Sequence, residues 1–465
     1  MVSALAMTSE RTTRALLKPT GRRLISFLLA AAVIGIPAGV LRVLCVGGSC
    51  ERNSSQSVTT PFCSLPQLVR HLIQNGYYER RSPDVIVVAG ATPIVGGTSF
   101  KGAAEQPPWP SAETPPNTEV PILFWGEGVR KHARVPPETG LEDIAPTLAS
   151  MIGLRRPHPE VRSGRALRET AVRSRPRLVV QVIWKGVDSG DIRAAMSKLP
   201  ALTRFMKEGS GTLRGTVPSF PLDPAAAIAT IGTGGLPSEH GITGTLIRND
   251  RGRLTASWGP RSPVNVIATL GDHLDEKRRQ RPVVGVVGTD VSDRGAIGGR
   301  WYWPRDRDHI SVTDDSPSEI VDEVWRMLHA KRFGQDRVTD LLAVAVEGRL
   351  GELDRQLAAL VARANRVSRG SLIVSFTATG SFASWSADPW PAERVEGVVE
   401  AAIPSTRPVI EASSPGGLFL DQDALSDLGI SDDAVVNALL NSASGGEPPV
   451  VDAFPGRAVT FARFC

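Results

Sequence analysis

The sequence predicts an α/β fold: a mostly parallel sheet with helices on both faces, preceded by one N-terminal transmembrane helix. Three observations predict it. Runs of apolar, β-branched residues recur along the body, amphipathic stretches separate them, and one uncharged apolar run stands near the N-terminus.

The first element is that apolar run, Leu24 to Leu41, close to the shortest length that spans a bilayer. Arg22 and Arg23 precede it, so the positive-inside rule keeps the N-terminus cytoplasmic and puts the rest outside. The expected location is the cell membrane, single-pass, with the main domain extracytoplasmic. A cleaved signal would use Ile36-Pro37-Ala38, only a fair small-x-small site, and Leu44 before Cys45 argues against lipidation. The expected divisions are a basic leader (1–23), an anchor (24–44), a linker (45–61) and one domain (62–465).

In that domain, Asp84–Ala89, Val120–Trp125, Leu178–Trp184, Val283–Val287, Leu341–Val346 and Leu372–Phe376 read as buried strands. Asp143–Ile152, Ile192–Lys207, Ser318–Ala330 and Glu352–Ala364 read as helices. The last of these aligns Leu353, Leu357, Leu360 and Val361 on one face. Residues 101–119 form a Pro-rich loop. Residues 416–440 read as a short strand and two small helices.

Composition narrows the function. The chain has 465 residues, 22% charged and 41% hydrophobic, as folded proteins do. Arg11, Arg14, Lys18, Arg22, Arg23 and Arg42 against Glu10 account for the whole net charge of +5. Residues 51–465 therefore sum to zero, which gives no bulk reason to bind nucleic acid. Cys45, Cys50, Cys63 and Cys465 form no CxxC pair, which excludes zinc ribbons and thioredoxin-type chemistry. No two of the histidines stand at metal-ligand spacing. His273 beside Asp272 and Asp275, and His309 after Asp306 and Asp308, read as solvated surface.

Several stretches resemble the alkaline phosphatase superfamily, in its type I phosphodiesterase/nucleotide pyrophosphatase-like branch. Val120–Val129 with Asp143-Ile144-Ala145-Pro146-Thr147-Leu148-Ala149 resembles the family's closing segment. Leu178–Gly186 with Leu236-Pro237-Ser238-Glu239-His240-Gly241-Ile242 resembles its opening segment. Thr339–Val344, Glu352–Leu360 and Leu372–Phe376 resemble its middle. The closing segment (62–171) comes before the opening and middle segments (172–465), an order that a circular permutation accounts for. Under that permutation the ends near Cys63 and Cys465 were once consecutive, so the resemblance makes a Cys63–Cys465 disulfide plausible.

The family's chemistry needs Asp and His ligands for two metal ions, usually zinc, and a Thr or Ser nucleophile. The first metal-binding Asp of the family matches Lys185, in Trp184-Lys185-Gly186. The nucleophile position, nine residues before Thr233, matches Pro224, and a neighbouring Asn-His becomes Ala227-Ile228. After the Leu341–Val346 strand the expected Asp and His give way to Glu347-Gly348-Arg349. After Leu372–Phe376 the Asp-His-Gly becomes Thr377-Ala378-Thr379-Gly380. In the closing segment a Thr-His-Gly near Gly97-Thr98 becomes Ser99-Phe100-Lys101-Gly102.

The resemblance thus implies a degenerate cleft of Lys185, Pro224, Phe100, Thr379 and Glu347, without catalytic residue, metal or cofactor. Lys185 is expected to pair with Asp188 or Asp191, or to hold a small anionic ligand. The partner class is then a membrane or envelope protein. The competing expectation is an active phosphoesterase or sulfatase whose zinc ligands are rebuilt from Asp188, Asp191, Asp290 or Asp293. Asp223 beside Pro224 is a poor nucleophile, because no metal cancels its repulsion from a phosphate.

Overall fold

The computed structural model describes residues 61–98, 107–112, 118–133, 135–155, 161–170, 172–299, 301–303, 306–313, 316–381, 389–441 and 450–460. The apolar run at 24–41, Phe100 and Cys465 lie outside them. Among the described residues no helix is long and apolar enough to cross a membrane.

Residues 59–465 form one compact unit built on a seven-stranded sheet. In spatial order its strands are β5 (Ser210–Thr216), β3 (Glu119–Gly126), β11 (Leu372–Ala378), β4 (Leu178–Trp184), β10 (Asp340–Val346), β8 (Val284–Gly288) and β9 (His309–Val312). The five strands from β11 to β9 are parallel, whereas β3 runs antiparallel to both β11 and β5. The β4, β10 and β11 side chains are buried along their whole length, because helices cover both faces. Thus β3, from the 62–171 segment, is enclosed by strands from 172–465.

A second sheet has the order β13 (Ile410–Ser414), β14 (Gly417–Leu420), β1 (Val85–Ala89) and β15 (Val450–Pro455), with every pairing antiparallel. The apolar run at 84–89 is therefore a strand, as expected, but not of the parallel sheet. Burial on both faces sets composition, and strand direction leaves no mark on it. Two small ladders complete the β structure: β2 (Ile94–Val95) with β12 (Trp390–Pro391), and the hairpin β6 (Leu246–Arg248) to β7 (Leu254–Ala256).

The helices follow the apolar periodicity with one correction. Residues 192–207 do not form a single helix. They divide into α4 (Ser189–Ala195), a 3-10 turn, and α5 (Pro200–Glu208), because Pro200 has no N–H to give and so starts a helix. The expected helices elsewhere are α3 (Ile144–Met151), α9 (Pro317–Ala330) and α10 (Leu350–Val367). Two further helices, α6 (Pro224–Thr233) and α8 (Leu270–Arg278), cover the sheet without an amphipathic signature. Nearly all of α6 is buried, so no polar face marks it in the sequence.

The two ends of the unit meet. In α1 (Pro61–Ser64), Phe62 packs edge-on against Phe454 of β15, ring centroids 5.2 Å apart. Cys63 is disulfide-bonded, with a partner outside the described residues.

Candidate functional site

In a parallel sheet, ligands and catalytic groups gather beyond the carboxyl ends of the strands. Here the ends of β4, β10, β8 and β11 bring together Lys185, Glu347, Thr379 and Asp293. The backbone fixes the first three: Lys185 N–H donates to Val346 O at 2.9 Å, and Thr379 N–H donates to Trp184 O at 3.0 Å. The Thr379 hydroxyl accepts from Gly186 N–H at 3.1 Å. Pro224 starts α6, and the chain just before it passes close to Gly380. A Cβ on Gly380 would lie 3.6 Å from Val217 and 3.9 Å from Leu222.

Lys185 does not pair with Asp188 or Asp191. Its ammonium lies 2.7 Å from Glu347 Oε1 and 3.5 Å from Asp293 Oδ2. The lysine side chain is 6% exposed and that of Asp293 1%, while Glu347 is 61% exposed. Burial alone would lower the lysine pKa. The Asp293 and Glu347 carboxylates outweigh it and hold the pKa above its ordinary value. Lys185 therefore stays charged and its charge is matched by carboxylates. Asp293 was missed as its partner because the two are far apart in sequence. They follow β4 and β8, two strands of one parallel sheet with β10 between them, which only the strand order reveals.

Each carboxylate of a rebuilt metal site already accepts at least one backbone N–H. Asp188 caps α4 by accepting Asp191 N–H at 2.8 Å, and Asp191 returns a bond to Asp188 N–H at 3.4 Å. Asp290 accepts from Ser292 N–H at 2.7 Å. Asp293 Oδ2 accepts from Thr289 and Asp290 N–H at 2.8 and 2.9 Å, while its Oδ1 is buried without a hydrogen-bond partner among the described residues. Asp223 is likewise a helix cap, accepting from Ala225 N–H at 2.8 Å and from both the Thr245 N–H and hydroxyl.

His240 is a framework residue. Its Nδ1 accepts from Ile242 N–H, so the ring proton sits on Nε2, facing Thr230 Oγ1 at 3.1 Å. Full burial pushes its pKa down to about 3.

One expectation is corrected. Asp272, His273 and Asp275 are not solvated surface; all three are buried. Asp275, Asp306 and Asp308 bring their oxygens within 4.8 Å of one another. Burial first, and mutual repulsion second, push Asp275 up to about 7 and Asp308 up to about 9. The apolar periodicity of α8 gives no sign of this, because a short helix ending beneath a loop is covered by residues distant in sequence.

Residues 179–265 match the family described as type I phosphodiesterase / nucleotide pyrophosphatase. Over 94 residues the chain is 33% identical to the alkaline phosphatase PhoV of Synechococcus elongatus. That stretch is 20% of this chain and 16% of PhoV. Two crystal structures of the alkaline phosphatase PafA, wild type and a mutant, align at 14% identity and a TM-score of 0.43. The alignments cover 58% and 59% of this chain and 76% and 78% of theirs. The family match and the PhoV identity support the alkaline phosphatase superfamily for this chain, as the motifs at 178–186 and 236–242 indicated.

Proposed function

We propose that this chain is a circularly permuted, membrane-anchored, extracytoplasmic member of that superfamily, without phosphoesterase activity, serving as an interaction module. One observation carries the reading. Where the family resemblance calls for the first metal ligand stands the Lys185 ammonium, bound to Asp293 and Glu347. An internal cation there meets the carboxylates that a divalent ion would need.

The same geometry argues against a small anion as occupant. Lys185 has two carboxylates within 3.5 Å, and Asp290 also acts on it. With the ammonium already held by carboxylates, little positive charge is left to attract a phosphate. The reading also expects no zinc, since one oxygen of each of Asp188, Asp191, Asp290 and Asp293 already accepts backbone N–H groups. A membrane or envelope protein remains the proposed partner class.

The test is metal analysis of the purified full chain with phosphomonoester, phosphodiester and sulfate-ester assays. The expected outcome is no stoichiometric zinc and no turnover. Bound zinc together with turnover that a chelator abolishes would establish the active-enzyme alternative instead.

A further inference from the structure

The zero net charge of residues 51–465 conceals a segregation. The segments entering the parallel strands from their amino ends all lie on one edge of the large sheet, and β3, running the other way, leaves by the same edge. Arg173, Arg175 and Arg177 precede β4, and Lys277, Arg278, Arg279 and Arg281 precede β8. Lys331, Arg332 and Arg337 precede β10, Arg366 and Arg369 precede β11, and Arg130 and Lys131 follow β3. Segments 127–132, 168–177, 277–283, 331–339 and 366–371 hold fifteen lysines and arginines against three carboxylates, Glu127, Glu169 and Asp336.

These segments form one surface. Arg130 N–H donates to Thr170 O at 2.8 Å, and Arg177 N–H to Ser371 O at 3.0 Å. Thr339 Oγ1 donates to Pro176 O at 2.7 Å. Buried Asp340 accepts from both Val283 and Gly334 N–H at 2.7 Å. Apart from half-buried Arg177, the named cations are exposed, and none is in an ion pair among the described residues. The corner before β9 is the exception, holding the Asp275, Asp306 and Asp308 cluster.

A second observation is independent of charge. Helices α8, α9 and α10 end alike on this edge. In each, an N–H closes back over the last turn: Gln280 to Asp275 O, Phe333 to Leu328 O, and Gly370 to Asn365 O. The residue before that N–H is left-handed, a position that glycine fills with least strain. Here it is arginine every time: Arg279 (φ 53°), Arg332 (φ 63°) and Arg369 (φ 55°). A cation in a last helical turn also answers the helix dipole. Arg130, Lys131, Arg173, Arg175, Arg177 and Arg281 belong to no helix end, so that effect does not account for the surface.

We infer that this edge docks the domain onto a bilayer surface bearing anionic headgroups. The inference rests on the proposed membrane anchor. From Leu41 to Pro61 the chain reaches at most roughly 60–70 Å when extended, so a bilayer holding the leader stays within reach. Cations near such a surface bind additively and respond to salt.

The test uses the full chain reconstituted into phosphatidylcholine vesicles with and without phosphatidylglycerol, read by hydrogen exchange. The expected result is slowed exchange in 277–283, 331–339 and 366–371 on the phosphatidylglycerol vesicles alone, reversed by high salt. The variant Arg279→Gly, Arg332→Gly, Arg369→Gly keeps the left-handed turns and loses three charges. Each loss should lower the docked-to-undocked ratio about five-fold. Equal exchange on both vesicles overturns the inference, as does the same protection from heparin in solution without vesicles. Failure to float with phosphatidylcholine vesicles sinks the anchor, and salt-reversible protection by phosphatidylglycerol still decides the edge.

Discussion

The two edges of the large sheet solve opposite electrostatic problems. At the carboxyl edge, one buried lysine lies among carboxylates: Lys185 with Asp293 and Glu347. At the amino edge, one buried aspartate lies under loops rich in arginine: Asp340, holding Val283 and Gly334 N–H. The first edge closes its charges on one another, which fits a site that no longer takes a ligand. The second leaves most of its cations exposed and outside any ion pair among the described residues, which fits a surface that meets something anionic. Among the described residues, the second edge carries the larger exposed charge of one sign.

The largest expected effect breaks the first edge. Lys185→Ala leaves Asp293 buried without its cation, and stability should fall by about 3–5 kcal/mol in urea unfolding. Glu347→Gln removes a mostly exposed partner and should cost no more than about 1 kcal/mol. Equal losses from the two would mean that the Asp293 contact carries nothing.

Next, Asp340→Ala strips one buried and one half-buried backbone donor of their acceptor at the amino edge, at a cost of about 2–3 kcal/mol. Burial, partly offset by those two bonds, pushes the Asp340 pKa up to about 7. Its protonated form is thus favoured on folding. The associated stability is complete below the unfolded carboxylate range and is lost as pH rises through about 7. An Asp340→Ala difference independent of pH between about 4 and 8 would contradict this.

The corner before β9 gives a sharper pH signal of the same sign. Asp308, raised to about 9, holds a proton in the folded state that the unfolded chain releases near 3.8. Wild-type stability should therefore decline relative to Asp308→Asn across that window. The gap at the alkaline end should be at least about 1.4 kcal/mol, one pK unit. Parallel melting-temperature profiles for the two proteins would exclude it.

The smallest effect tests the strain argument. Arg279→Gly relieves a left-handed side chain but frees the unfolded backbone. The net change should stay within about 0.5 kcal/mol. A larger loss would show that the arginine holds the turn rather than serving the surface.

Much of this was legible in the sequence. The buried strands announced themselves as continuous β-branched runs, and α10 through its apolar face. Lys185, Glu347 and Thr379 were singled out by the family resemblance, and in the fold each follows a strand of the parallel sheet. Phe100 lies outside the described residues, and Pro224 is placed at a helix start. What could not be read was who meets whom. Asp293 lies 108 positions from Lys185, and no local pattern joins them.

The sequence by itself determined the strands, the hydroxyl-free Pro224, the cation at 185 and the zero sum of the body's charge. All of these are properties of residues or of short runs. Only the tertiary structure decided that β1 belongs to a second sheet, that Asp293 and Glu347 hold Lys185, and that the cations of five separate segments share one edge. Charge interactions depend on distance in space. Parallel strands bring their ends together from stretches far apart in the chain, so a neutral sequence can fold into a domain with two unlike edges.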